Sequence, residues 1–463
     1  MKTLIETLPS ATFVSLLLGL GATSPATAAD LKVPADHPTI QAAVDAASDG
    51  DTIHIASGVY TNQVRITSKR LTLIGQPGTI LRATGQMAPF ISPFPGITYV
   101  NIPVMLIELS DVTVRGLTFE GERLAERFVG PGALLGLSFL RSSGDVENCA
   151  FYGFRESVPG AEDAGSLWFQ TFEEDDVTAR VVSCTFADSY EGIHLRGGPA
   201  RKNINATVEN NTIIGTGPRA NDLNHGGIFI SQGVGGRIAG NTISGFSYIG
   251  TAAQFPISFG ILASNQKGEN SPEFGILQPL IIEGNTLRDN QMHIALVKGN
   301  GSVVRNNRFR GTAPGISPLG LAVSGTNVTI ASNQFEDMPE GTRLMGQNPL
   351  PVLANLGDIL GFAINAQVTS NHFCNVTIPI NRQPPASATL VGTLSVCPIP
   401  PPPLAIAPAV LVSWPGEDFG WTVEAAPSVD GPWAPSAATP FMQSGRHNIA
   451  VPTGGERRFF RLR

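Results

Sequence analysis

Residues 280–310 read LIIEGNTLRDNQMHIALVKGNGSVVRNNRFR, and the stretch contains one short unit twice. In each copy an apolar residue stands three places before an asparagine and another stands two places after it. The copies are Ile282, Asn285, Leu287 and Val304, Asn307, Phe309. Upstream the unit recurs as Val114/Leu117/Phe119, Val146/Cys149/Phe151, Val181/Cys184/Phe186, Val208/Asn211/Ile213 and Ile238/Asn241/Ile243. Downstream it recurs as Ile330/Asn333/Phe335 and Val368/Asn371/Phe373. The central positions lie 32, 35, 27, 30, 44, 22, 26 and 38 residues apart. A shortest period with longer ones around it marks coils that carry insertions of variable length. One coil is too thin to bury its own apolar residues, so coils must stack. Alternation with a period of two points Val, Ile and Phe inward. The central position falls at a bend between two short strands. Six successive asparagines there can bond to one another along the stack while tolerating a left-handed backbone. The fold expected is an all-β, right-handed parallel β-helix.

A second strand follows most of these units. Ser166–Gln170, Gly192–Arg196, Gly227–Ser231, Gly260–Ser264, His293–Val297 and Gly320–Ser324 share one pattern. If the first apolar residue of each points inward, one outward column reads Trp168, His194, Phe229, Leu262, Ala295, Ala322. The next reads Gln170, Arg196, Ser231, Ser264, Val297, Ser324.

Composition suits this reading. The 463 residues include 51 Gly and 36 Pro, while charged residues make up only 14%, which is too apolar for disorder and matches short strands joined by tight turns. The formal net charge is −7, and removing residues 1–29 leaves it there because Lys2 and Glu6 cancel. An acidic chain is disfavoured as a nucleic-acid partner. Residues 1–29 read as a signal peptide: Lys2 supplies the basic start, Phe13–Leu20 an apolar stretch, and Ala26-Thr27-Ala28-Ala29 a small-residue cleavage site. That apolar stretch is too short to span a bilayer, and no later segment reads as a membrane span. The mature chain is expected to be secreted or held at the cell surface, and to be a monomer.

Ahead of the coils, Thr39–Ala47 places Ile40, Ala43, Val44 and Ala47 at helical spacing, so a helix is expected to cap the open first coil. Strands are expected at Thr52–Ile55, Gln63–Thr67 and Arg70–Ile74. The block Pro38-Thr39-Ile40-Gln41-Ala42-Ala43-Val44, Gly50-Asp51-Thr52-Ile53, Gly58-Val59-Tyr60 and Leu71-Thr72-Leu73-Ile74-Gly75 resembles the start of the pectin-lyase-like superfamily, which includes the pectin methylesterases. With the coils, the resemblance covers about residues 33–397. It implies the fold and an interest in polysaccharides, but no catalytic residue carries over. The Asp-Phe-Ile-Phe-Gly strand of the methylesterases, the Arg-x-Pro-x-x-Arg element of many pectate lyases and the Asp-Pro-His element of alginate epimerases do not occur here.

The coils, residues 30–397, are expected to give way to a Pro-rich linker at 398–408 and a small β-rich module at 409–463. That module holds Trp414, Trp421 and Trp433 and ends on Phe459-Phe460-Arg461-Leu462. It resembles C-terminal modules of secreted bacterial proteins. Its tryptophans read as core before they read as a sugar platform. Four cysteines in an exported chain allow two disulfides. Cys374 and Cys397 would close the last coil, whereas Cys149 and Cys184, equivalent in adjacent coils, leave bonded and free states both open.

Chemistry is sought on the outward columns. Asp188, Glu191, His194 and Arg196, with Asp222 and His225 in the next coil, form the densest set able to serve as general acid, base and charge neutraliser. Trp168 would flank them as a stacking face, with Arg219 beside them, and Arg288 and Arg310 stack as a second basic patch. Ordinary solvated polar groups beside a loop are the competing account. The run Glu173-Glu174-Asp175-Asp176 would suit Ca²⁺, although a solvated turn explains it more simply, and no other cofactor is evident. The functional expectation is a polysaccharide-directed protein, with lyase, esterase or hydrolase activity on uronate-containing plant or algal glycans. The alternative is an adhesive solenoid without catalysis.

Overall fold

The computed structural model describes residues 28–91, 100–128, 132–155, 164–172, 175–198, 203–220, 226–249, 258–264, 278–312, 316, 318–346 and 362–392. In the tail it describes 409–415, 423–427, 430–435, 441–443, 446–452 and 459–462. Contacts divide the chain into two units, Met1–Cys397 and Pro398–Arg463.

The first unit is a three-sided stack of parallel coils. Its first face is a 13-stranded parallel sheet running from Asp30–Val33 to Ala388–Val391. A second sheet covers the other two faces, with short strands such as Thr185–Ala187 on the second and longer ones such as Glu191–Arg196 on the third. Register is kept from coil to coil: Val146 pairs with Val181 and Val181 with Val208, while Phe151 pairs with Phe186 and Phe186 with Ile213. This follows from the sequence. Both apolar positions of the unit are buried in every copy. Each such side chain contributes about 1.5–3 kcal/mol by leaving water. Phenylalanines in the second column stack ring on ring, with Phe119–Phe151 at 4.9 Å and Phe335–Phe373 at 4.8 Å. A one-residue slip would turn both columns out to solvent, so the register is fixed.

The central asparagines form one continuous chain of amides. Asn241 Nδ2 donates to Asn285 Oδ1 at 2.9 Å and to Ile238's counterpart one coil back, the Val208 carbonyl, also at 2.9 Å. Its Oδ1 accepts from Asn211 Nδ2 and from the Asn211 backbone N–H. The pattern repeats through Asn307, Asn333 and Asn371. The left-handed backbone expected at these asparagines belongs instead to the residue before each. Asn210, Gly240, Gly284, Asn306, Ser332 and Ser370 have φ between 52° and 64°. The bend is made by that preceding residue, so the ladder asparagine is left to point inward.

Cys149 and Cys184 are free and buried, which resolves the choice left open above. They extend the ladder as thiols. Cys184 Sγ lies 3.4 Å from the Val146 carbonyl, the group a ladder amide would reach, and its backbone N–H donates to Asn211 Oδ1. Burial pushes the Cys149 thiol well above its ordinary value and keeps it protonated. The pairing expected between Cys374 and Cys397 involves Cys397, which lies outside the described residues.

The N-terminal helix is present at Ile40–Ala46, with Thr39 Oγ1 accepting from the Ala42 N–H as its cap. Ile40, Ala43 and Val44 close the core, and Lys69 Nζ donates to the carbonyls of Val44 and Ala47 at the other end. The second unit contains two antiparallel sheets, one joining Ala409–Pro415, Arg446–Pro452 and Phe441–Gln443, the other Ala434–Pro435, Val423–Ala426 and Phe459–Leu462. Trp433 is half-buried there. Trp421 and the side chain of Trp414 lie outside the described residues.

Candidate functional site

The third face carries the outward columns predicted from the sequence. Trp168 pairs in register with His194, His194 with Phe229, and Phe229 with Leu262. The rings touch along the stack: Trp168–His194 centroids are 4.8 Å apart, and His194–Phe229 centroids 5.5 Å. Each ring folds back over the residue three places earlier. A Cβ at Gly165 would come within 2.1 Å of the Trp168 indole nitrogen, and one at Gly226 within 2.6 Å of the Phe229 ring. Glycine is what makes room for those rings.

Between those two glycines, in the same column, stands Glu191. Its carboxylate Oε2 lies 3.0 Å from His194 Nδ1. The pair is largely enclosed, at 12% and 15% side-chain exposure, yet no neighbouring coil places a side chain beside the carboxylate in its column. The hydrogen bond from Nδ1 to Glu191 assigns the tautomer in which Nε2 is the basic nitrogen. Nε2 is itself buried without a hydrogen-bond partner among the described residues, as is the Trp168 indole N–H. Arg196 lies in the adjoining column, in register with Gln170 and half-buried.

Other expected members fall elsewhere. Asp188 occupies the corner between the second and third faces, with φ 54°. Gly153, Gly245, Asp289 and Asp337 hold the equivalent corner in other coils and share the left-handed backbone. Its carboxylate is held by Arg123 at 2.6 Å and by buried Arg155 at 3.4 Å. Asp188 is therefore committed to the corner and is not joined to the Glu191–His194 pair. Arg288 and Arg310 are stacked in register as expected, but on the second face, with Arg310 Nε 3.2 Å from Asp337. Arg219 begins a two-residue strand paired with Tyr248, and its side chain lies outside the described residues, as do Asp222 and His225 altogether. Glu173 and Glu174 lie outside them too. Asp175 is gripped by Arg141 at 2.8 and 3.1 Å, which holds its carboxyl below the usual value. Among the described residues no group of His, Cys, Asp and Glu is placed to hold a metal ion.

The first face carries a staircase of ion pairs: Arg115–Glu147, Glu147–Arg180, Glu209–Arg237, Arg237–Glu283 and Glu283–Arg305. At its centre Ala239, Gly240 and Gly284 leave an open depression of about 430 Å³ beside Glu209, Arg237 and Glu283. The Glu283–Arg305 pairing follows from their equivalent places two residues before Asn285 and Asn307, whereas the depression depends on small residues meeting in adjacent coils.

Residues 135–335 match the family model described as a right handed beta helix region. Among solved structures, an alginate lyase from Paenibacillus sp. str. FPU-7 is 16% identical, covering 79% of this chain and 94% of that one with a TM-score of 0.40. DFA-IIIase from Arthrobacter chlorophenolicus A6 is 15% identical, covering 78% and 93% with a TM-score of 0.44. The Dettilon tailspike protein is 12% identical, covering 91% and 79% with a TM-score of 0.43. No curated protein matches the sequence. Among the described residues no helix is long and apolar enough to cross a membrane. With its in-register parallel coils, matched at their centre by that family model, the first unit folds as a right-handed parallel β-helix.

Proposed function

We propose that this is an exported, carbohydrate-directed β-helix protein whose third face engages a uronate-containing glycan and transfers a proton there. The carrying observation is the Glu191–His194 hydrogen bond, set between glycines and flanked by Trp168 and Phe229. Glu191 orients the imidazole, His194 Nε2 acts as the base, Arg196 neutralises a uronate carboxylate, and Trp168 packs against a sugar ring.

The test is to incubate the purified protein with polygalacturonate, alginate and neutral glycans, following unsaturated products by ultraviolet absorbance and new reducing ends chemically. Uronan cleavage abolished in His194→Ala and Arg196→Ala is expected. Cleavage that survives both substitutions removes the assignment. The burial of His194 Nε2 favours a second reading, a glycan-binding or adhesive surface without turnover. Retention on a uronan column with no product formed would establish that reading instead.

A further inference from the structure

We infer that the third face takes the end of a glycan chain or a disaccharide-sized ligand, and not an internal stretch of polymer. This inference rests on the function proposed above. It follows from where the outward columns are open and where they are closed.

In the central column, Trp168, His194 and Phe229 are partly exposed. The residues that continue the column are buried on both sides: Leu106 and Ser138 toward the N-terminus, Leu262, Ala295 and Ala322 toward the C-terminus. The column in front behaves alike. Glu191 is partly exposed between buried Gly165 and Gly226, beyond which lie the buried apolar residues Leu135 and Phe259. Behind, half-buried Arg196 lies between buried Gln170 and buried Ser231. All three columns are therefore open at the coil of His194, and only the central one stays open one coil further on each side.

The opening runs from Trp168 to Phe229, two coil steps, or about 10 Å at ordinary strand spacing. A glycan threaded along the stack would need the polar face to continue past Leu262 or past Ser138. Instead the column passes on the C-terminal side into a buried apolar cluster of Phe259, Leu262, Met292, Ala295, Leu319 and Ala322, and on the N-terminal side into buried Ser138 and Leu106, so neither side offers a surface to bind. The imidazole sits at the middle of the opening, one coil from either end, so the group it reaches belongs to a terminal unit.

The experiment is calorimetric titration with oligogalacturonates and oligomannuronates from monomer to hexamer, with viscosity and released sugar followed in parallel on the polymers. Affinity is expected to rise from monomer to dimer and then change by no more than about twofold up to the hexamer. Any polymer turnover should release sugar from one end while viscosity falls slowly. Trp168→Ala is expected to weaken the dimer by about tenfold. Affinity that keeps climbing through the hexamer, rapid loss of viscosity, or a Trp168→Ala protein that binds the dimer normally would each overturn the inference while leaving a glycan-directed function in place. Absence of binding and turnover with every oligomer and polymer would overturn the function itself, and this inference with it.

Discussion

Asn285 shows how much one side chain does in this fold. Its Nδ2 donates to Asn307 Oδ1 and to the Ile238 carbonyl, and its Oδ1 accepts from Asn241 Nδ2 and the Asn241 N–H. Every polar valence of a buried amide is used, and each lost partner costs about 1–3 kcal/mol. Asn285→Ala strands two donors of Asn241 and one carbonyl together. The expected loss is about 3 kcal/mol or more, read as a lowered midpoint in denaturant with an unchanged slope. His293 makes a contrasting case. It stands in register with Gly260 and Gly320, takes Asn290 Nδ2 at 3.2 Å on Nδ1, and has Nε2 buried without a partner among the described residues. Burial lowers its pKa to about 3, against a small opposing pull from Asp289. The folded state thus binds its proton less readily than the unfolded state. The stability this neutral imidazole permits is full above the ordinary value near 6.5 and drains away as pH falls toward 3. Thermal melts of His293→Gln should show a shallower loss across that acid range than the parent protein; parallel curves would refute this.

At the scale of elements, the strands and the helix were legible because burial and periodicity coincide. Ile40, Ala43 and Val44 sit at helical spacing behind a Thr cap, and the helix forms there. Thr39→Ala removes the Oγ1 acceptor at the Ala42 N–H and should cost about 1 kcal/mol, measured by thermal or chemical unfolding. The bend was misplaced by one residue for a physical reason. Asparagine both adopts left-handed backbone and forms side-chain ladders, and Asn210-Asn211 and Asn306-Asn307 put it in both places. Gly240 and Gly284 in the preceding position were the available signal. The corner role of Asp188 was readable in the same way, from Gly153 and Gly245 at the equivalent place. The Glu191–His194 contact was not readable, because strand alternation alone puts residues three apart on opposite faces. Only the ring folding back toward the strand's start, over a column of glycines, brings them together.

At the scale of the molecule, the core belongs to no single coil. It is a set of columns that each coil joins through its two neighbours, so stability is shared between adjacent layers and not across distant ones. This also explains why fold and activity were unequally legible. The fold is repeated nine times in the sequence, whereas the opening on the third face is written once, through exceptions to the pattern at Glu191, His194 and Arg196. The layering has a consequence for length. The coil from Asn285 to Asn306 is the shortest, at 22 residues, and Asn307 follows it with the same two bonds to its neighbours. Excising residues 285–306 joins Asn241 to Asn307 as ladder partners and Leu262 to Ala322 on the third face. The shortened protein should fold with its strand signal intact and lose about 4.8 Å of axial length by small-angle scattering. Removing residues 285–295 instead, half of that coil, should yield aggregates on gel filtration, since the coils beyond would lose the continuous columns that bury them. The molecule can be lengthened or trimmed like a stack of washers of unequal rim, but only by whole washers.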